Sequence, residues 1–149
     1  MRAPLMMAGA LALTMSLVAC DEKLADLTGP TPNLQPTFSS IQHEIFETAD
    51  SSGRPACTNC HAPQGAQPAV GGLNLTNAVA YASLVNAPAP ERRTLNLVTP
   101  GDPENSYLIH KLEGSHNIIG VRMPFGGPYL SSNQILVIRR WIEIGAPNN

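Results

Sequence analysis

The sequence predicts an all-α fold of about four short helices joined by long loops. Four stretches place their apolar residues at helical spacing or begin with helix-capping residues, and no segment alternates convincingly as a β-strand. The chain also has 14 prolines and 12 glycines among 149 residues, a composition that shortens helices and lengthens loops. A domain with this much loop needs something besides apolar side chains to fill its centre.

The first two predicted helices lie in the N-terminal half of the domain. Periodicity places the first over residues 38–49, with Thr37 or Ser39 as its cap. The second covers residues 77–85 and follows a candidate cap, Thr76. The apolar face of the first helix consists of residues at helical spacing: Phe38, Ile41, Ile45 and Ala49.

The last two predicted helices have clearer ends. The third spans residues 102–113, opens with Asp-Pro and stops at Gly114. The fourth begins at a capping box formed by Ser131 and Gln134. Its hydrophobic staple is the pair Leu130 and Ile135, and its stop residues are Gly145 and Pro147. Its inner face is predicted to be Ile135, Ile138, Trp141 and Ile142.

Bulk properties exclude two classes of protein. The formal net charge is −2 and the lysines and arginines are scattered, which argues against a nucleic-acid partner. The long apolar run is confined to the N-terminus, which argues against a protein with several membrane spans. The length suits a single domain.

The N-terminus has the layout of an export signal. A basic residue, Arg2, precedes an uncharged apolar stretch over residues 5–18, which is too short for a comfortable transmembrane span. The stretch ends in Leu-Val-Ala-Cys at Cys20, which resembles the lipobox of bacterial lipoproteins. The resemblance implies cleavage before Cys20, acyl chains on that residue and attachment to the periplasmic side of a bacterial membrane. An ordinary secretory signal and an uncleaved anchor are the alternatives.

The chain therefore divides into three predicted parts. Residues 1–19 are a lipoprotein signal peptide, and residues 20–36 are the lipidated cysteine and a proline-rich tether. Residues 37–149 form the functional domain.

The motif that indicates chemistry is Cys57-Thr-Asn-Cys60-His61. Residues three apart face the same way on a helical turn, so two such thiols can bond to the two vinyl groups at one edge of a haem. The histidine follows directly, and its imidazole can reach the iron as an axial ligand. Three other interpretations of the two cysteines are a thioredoxin-like redox pair, half of a zinc site and a structural disulfide. No strand pattern precedes Cys57, which argues against a thioredoxin-like pair. The third cysteine of the chain is Cys20, at the end of the export signal, so no cysteine remains to complete a zinc site.

Haem iron has a second axial position. Met123 is the preferred candidate because it lies in a proline- and glycine-rich loop that can arch over a haem face, and a soft thioether suits low-spin iron. His116 is the runner-up. His110 is expected near a helix C-terminus, where histidine is favourable without a metal, and His43 is expected on an exposed helix face.

This pattern resembles the small class I-type c-type cytochromes over about residues 38–147. The motif at residues 57–61 carries most of the resemblance, and residues 98–106 and 122–124 add to it because they look like a bacterial haem-c module. Many members of the family have a glycine on the first helix where an aromatic residue of the last helix packs. Residues 38–49 contain no glycine, so this chain departs from the family at that crossing.

The resemblance implies one haem c, bound covalently through Cys57 and Cys60, with His61 and Met123 on its iron. It also implies that the first and last helices cross. Residues expected near the haem by this analogy are Gly72, Leu73 and Leu75, and those expected at the crossing are Ile45, Phe46 and Trp141.

A haem whose iron is bound on both faces has no position for a substrate, so the expected function is single-electron transfer between redox proteins and not enzyme catalysis. No catalytic group stands out elsewhere: Asp50, Asp102 and Glu113 read as caps or surface charges. Arg122 is either a partner of a haem propionate or an exposed arginine. The alternatives are an open-site haem enzyme or gas sensor, and the haem subunit of a larger membrane oxidoreductase. No small-molecule substrate is expected.

We expect the chain to be largely unfolded without haem, because the macrocycle would supply much of its apolar core. The test is thermal unfolding, followed by circular dichroism, of the double variant Cys57→Ala/Cys60→Ala purified without haem. A cooperative melting transition would contradict the expectation.

Overall fold

The computed structural model describes residue 29 and residues 31–149. Its helices are α1 (Phe38–Ile41), which continues as a π-helical turn over Gln42–Glu47, α2 (Ala80–Leu84), α3 (Tyr107–Glu113) and α4 (Ser132–Glu143). Three single 3-10 turns add to these: Cys57–Asn59, Val70–Gly72 and Pro103–Asn105. In the described part of the chain the β-pairings are isolated bridges and no sheet forms, which agrees with the predicted all-α class. No helix there is both long and apolar enough to cross a bilayer.

The starts of α1 and α4 follow the predicted caps, but that of α2 does not: α2 begins at Ala80 after Val79, with no side-chain cap, and not at residue 77 after Thr76. The Thr37 side chain accepts a hydrogen bond from the Ser40 amide and begins α1. At α4 the predicted capping box is complete: the Ser131 hydroxyl accepts from the Gln134 amide, and the Gln134 side chain accepts from the Ser131 amide. Gly114 ends α3 with a left-handed backbone, a conformation that favours glycine (φ 72°).

The third predicted helix is broken in two, with the break at Ser106. Asp102 caps the 3-10 turn as expected by accepting from the Asn105 amide. The Ser106 hydroxyl then donates to the Asp102 carbonyl and accepts from the Thr99 amide, at 2.8 and 2.9 Å. These bonds hold Ser106 extended (φ −93°, ψ 112°), so α3 starts only at Tyr107.

Aromatic contacts join the first and last helices. The ring of Phe38 lies 5.6 Å from that of Trp141 and meets Tyr81 edge-on at 5.1 Å. All four predicted inner residues of α4 are buried. Thr31 and Leu34 are buried as well, so the packed part of the chain includes residues that sequence analysis assigned to the tether.

A buried arginine holds the end of the first helix. The Arg54 side chain is fully buried, and all five of its N–H donors have acceptors. The Nε atom donates to the Asp50 carboxylate at 2.9 Å. The other four donors go to backbone carbonyls at 2.9–3.1 Å, those of Glu44, Ile45, Thr48 and Pro55. The guanidinium thus satisfies carbonyls that the end of a helix leaves unpaired.

Asp50 was interpreted as a cap or a surface charge. It is not a surface charge, since its side chain is only 2% exposed. It accepts hydrogen bonds from Ser52, Arg54 and the Gln134 amide group at the start of α4. Burial raises the pKa of the Asp50 carboxyl, but the hydrogen bonds from these three side chains outweigh it and lower the pKa from 3.8 to about 2.

We predict that Arg54→Met destabilises the folded protein by about 3–5 kcal/mol, because it leaves a buried carboxylate and four carbonyls without their donor. Urea unfolding measures the loss. The control is Arg140→Met, which breaks an ion pair whose side chains are 59% and 57% exposed and should cost less than about 1 kcal/mol. Equal losses in the two variants would contradict the role assigned to Arg54.

We also predict how the stability of the protein changes in acid. Because the pKa of Asp50 is lower in the folded protein than in the unfolded chain, its stabilisation is present above about pH 4 and is lost as the pH falls towards 2. Asp50→Asn should be less stable at neutral pH and should lose less stability between pH 4 and 2 than the wild type does. Urea unfolding at a series of pH values compares the two proteins. The prediction is contradicted if their free energies of unfolding change in parallel with pH.

Candidate functional site

The two motif cysteines and the histidine lie on one tight turn. Cys57–Asn59 form a 3-10 turn, and the amides of Cys60 and His61 both donate to the Cys57 carbonyl, at 3.2 and 2.9 Å. Both thiols are free; Cys57 is half-buried and Cys60 is exposed. The predicted arrangement of the motif on a single turn is therefore present.

The π-helical turn after α1 supports the motif from one side. Its carbonyls at Ile45 and Phe46 accept hydrogen bonds from the Cys57 thiol at 3.4 Å and the Thr58 hydroxyl at 3.2 Å. Burial raises the pKa of the Cys57 thiol to about 11, although the nearby Arg54 charge opposes the shift. The Cys57 thiol is therefore protonated at neutral pH.

A backbone carbonyl orients the imidazole of His61. Its Nδ1 atom lies 2.9 Å from the Val70 carbonyl oxygen. A carbonyl can only accept, so Nδ1 carries the proton in this hydrogen bond, and the lone pair of Nε2 is available to a metal. Metal-ligating histidines are commonly held in this way.

The loop that supplies this carbonyl is itself bonded to the motif. The Val70 amide donates to the Cys60 carbonyl at 3.0 Å, and the Leu75 amide donates to the His61 carbonyl at 2.7 Å. The loop closes on itself through the reciprocal backbone pair of Gln64 and Gln67, at 3.0 Å each. The sequence predicted that Gly72, Leu73 and Leu75 of this loop lie near a haem. It did not identify the Val70 carbonyl, because a backbone acceptor has no residue type that the sequence could show.

An apolar cleft opens beside the motif. Two adjoining cavities, of about 120 and 330 Å³, form it. Both are lined by the same five residues: Cys57, His61, Val70, Leu112 and Met123. The first cavity extends inward between apolar side chains, including Ile45, Phe46, Leu73, Leu75, Leu97 and Leu108. Leu73 and Leu75, expected near a haem, thus lie in the cleft wall, as does Gly71 in place of Gly72.

Met123 borders both cavities and packs, partly buried, against the core. Its amide donates to the Lys111 carbonyl at 2.9 Å, which joins the methionine loop to α3. The other candidate ligands are elsewhere, and none of the three histidines borders either cavity. His43 and His116 are exposed, and His110 lies in the last turn of α3 with Nε2 at 2.7 Å from the Glu104 carbonyl.

Two charged residues at the inner cavity were missed by sequence analysis, Glu91 and Lys111. The Lys111 ammonium donates to Glu91 at 2.9 Å, and its side chain is only 11% exposed. Periodicity gave no signal for the pair, because its members are far apart in sequence.

The Arg122 side chain makes its contacts outside the cleft. Its Nε atom donates to the Leu112 carbonyl at 2.8 Å, and its guanidinium stacks 4.1 Å from the ring centre of Tyr129. It borders neither of the two cavities beside the motif.

Among the described residues, no group of three or more His, Cys, Asp or Glu side chains is placed to hold a metal ion. The donors that border the cleft are instead the His61 imidazole, the Met123 thioether, the thiols of Cys57 and Cys60, and the Glu91 carboxylate that is paired with Lys111. Cys20, the predicted lipidation site, lies outside the described residues. Comparison with family models, curated proteins and solved structures finds no match to this chain.

Proposed function

We propose that the chain is a monohaem c-type cytochrome of class I-type fold that carries single electrons between redox proteins. One observation carries the proposal. His61, with Nδ1 bonded to the Val70 carbonyl, borders the same apolar cleft as Met123 and the Cys57 thiol. A nitrogen and a soft sulfur donor on one cleft, with thiols spaced for two thioether bonds, suit haem c better than zinc or a redox disulfide.

The residues present fit the group. Cys57 and Cys60 would bind it covalently, and His61 and Met123 would be its axial ligands. The apolar walls of the cleft suit a macrocycle that is itself largely apolar, and they would exclude water from it. When bound, haem c supplies a reversible one-electron couple.

The chain's own residues would set the properties of that couple. The hydrogen bond from His61 to Val70 fixes the ring orientation and makes the imidazole a stronger donor. A thioether from Met123 would favour a higher reduction potential than a second histidine would. With His61 and Met123 both bound to the iron, a substrate would have no site on the metal, which favours a carrier over an enzyme.

The same proposal includes location and partners. A lipid on Cys20 would hold the domain at the periplasmic face of a bacterial membrane, where redox proteins would serve as donors and acceptors. Since Thr31 is already packed into the domain, the link from the lipid to the domain would be shorter than the predicted tether. A shorter link would restrict the carrier to partners near the membrane surface.

We predict that haem stays with the polypeptide after denaturation and that the oxidised protein is low-spin with the weak long-wavelength methionine-to-iron band. Met123→Ala should abolish that band, because it removes the thioether. His116→Ala, a change to an exposed histidine outside the cleft, is the matched control and should keep it.

Other spectra would contradict specific parts of the proposal. A low-spin spectrum without the band would assign the second ligand to a residue other than Met123. A high-spin spectrum that shifts with carbon monoxide would indicate an open site and therefore an enzyme or sensor. Haem that is extracted by acid and organic solvent would contradict attachment through Cys57 and Cys60.

A further inference from the structure

We infer that Tyr107, Glu91 and Lys111 form a polar clamp that positions the methionine loop, residues 114–123, so that Met123 reaches the haem iron. The inference rests on the proposed function and names the positioning residues of the same site. None of the three side chains is assigned a role as a ligand.

The clamp is a connected set of hydrogen bonds. Glu91 Oε2 accepts from the Tyr107 hydroxyl at 3.1 Å and from the Lys111 ammonium at 2.9 Å. The Lys111 ammonium also donates to the Ile119 carbonyl at 2.9 Å. The Tyr107 hydroxyl accepts from the Ile119 amide, again at 2.9 Å. Both backbone groups of Ile119 are thus held by side chains of α3.

Two of the three clamp residues are buried. Tyr107 is 1% exposed and the Lys111 side chain is 11% exposed, and both lie in the buried face of α3, whereas the Glu91 side chain is 37% exposed. Glu91 holds the two side chains together from outside the helix, in the loop between α2 and α3. Hydrogen bonds to charged groups are about twice as strong as neutral ones, and partial burial protects them from solvent.

Apolar burial holds this loop only weakly. The side chains of Ile119 and Val121 are 52% and 48% exposed, and Phe125, just beyond Met123, is 76% exposed. Besides Met123 itself, Ile118 is the apolar residue of the loop that packs, partly buried, against the core. At its start, the loop is bonded to the end of α3 through the Gly114 and Ser115 amides, which donate to the His110 carbonyl. Its other hydrogen bonds to the domain are Arg92 to the Asn117 carbonyl, Arg122 to the Leu112 carbonyl and the Met123 amide to the Lys111 carbonyl, and Arg122 also stacks on Tyr129.

The clamp acts on the position of Met123. Ile119 lies four residues before Met123, and the clamp attaches it to the same helix that accepts the Met123 amide. Lys111 takes part at both points, through its ammonium at Ile119 and its carbonyl at Met123. A loop released at Ile119 would be free to move Met123 away from the cleft, and an external ligand could then compete for the iron.

The test uses haem-loaded protein and the variants Tyr107→Phe and Lys111→Met, which keep the ring and most of the aliphatic stem. Tyr81→Phe is the matched control, because it also removes one tyrosine hydroxyl that is bonded to the backbone. The Tyr81 hydroxyl donates to the Ala146 carbonyl at 2.9 Å, on another part of the domain. Imidazole affinity of the oxidised protein is measured by titration, with the methionine-to-iron band followed in parallel.

We expect Tyr107→Phe and Lys111→Met to bind imidazole roughly three- to tenfold more tightly than the wild type, the size set by losing one or two hydrogen bonds, while Tyr81→Phe does not. Hydrogen exchange of the Met123 amide in the reduced protein is a second readout. Its acceptor, the Lys111 carbonyl, is unchanged in Tyr107→Phe, so faster exchange there would report a released loop and not a deleted bond.

Two outcomes would overturn the inference and can be told apart. If the wild type shows the methionine-to-iron band and the clamp variants match Tyr81→Phe in imidazole affinity and amide exchange, the clamp does not position Met123. If the wild type lacks the band, the His61/Met123 ligand pair is wrong, and the inference fails together with that part of the proposed function.

Discussion

The placement of the Cys57–His61 turn depends on the buried guanidinium of Arg54. A fully buried arginine is tolerated only when every donor has a partner, and here one carboxylate and four carbonyls supply the five acceptors. Those acceptors lie at the end of the first helix and at the residue two positions before Cys57. The arginine therefore holds the helix end against the start of the motif, and its partner Asp50 links both to α4 through Gln134.

The motif is held from two further sides. The π-helical turn presents the Ile45 and Phe46 carbonyls to Cys57 and Thr58, since carbonyls in the last turn of a helix have no partner within it. The loop at residues 61–75 bonds back to Cys60 and His61 and supplies the Val70 carbonyl to the imidazole. These contacts use backbone acceptors, so the orientation of the motif depends on tertiary folding more than on the identity of the neighbouring side chains.

The part of the cleft wall that carries Met123 is organised differently. Met123 lies on a loop with exposed apolar side chains, and polar bonds from α3 and Glu91 hold that loop in place. One wall is therefore a tight turn fixed by buried hydrogen bonds, and the other is a loop attached by a partly exposed ion pair. Of the two proposed ligands, Met123 is the one whose support would give way first, which suits a histidine that stays bound and a thioether that can be displaced.

The sequence by itself determined the features that depend on local spacing. The helical class, the caps at Thr37 and Ser131, the stop at Gly114 and the single turn of the cysteine-histidine motif follow from residues within a few positions of one another. Only the tertiary structure decided that Asp50 is buried, that Ser106 breaks the third helix, that Arg122 turns away from the cleft and that Glu91 meets Lys111. Each of these depends on partners distant in the chain or on backbone carbonyls, and neither kind of partner leaves a periodic signal in the sequence.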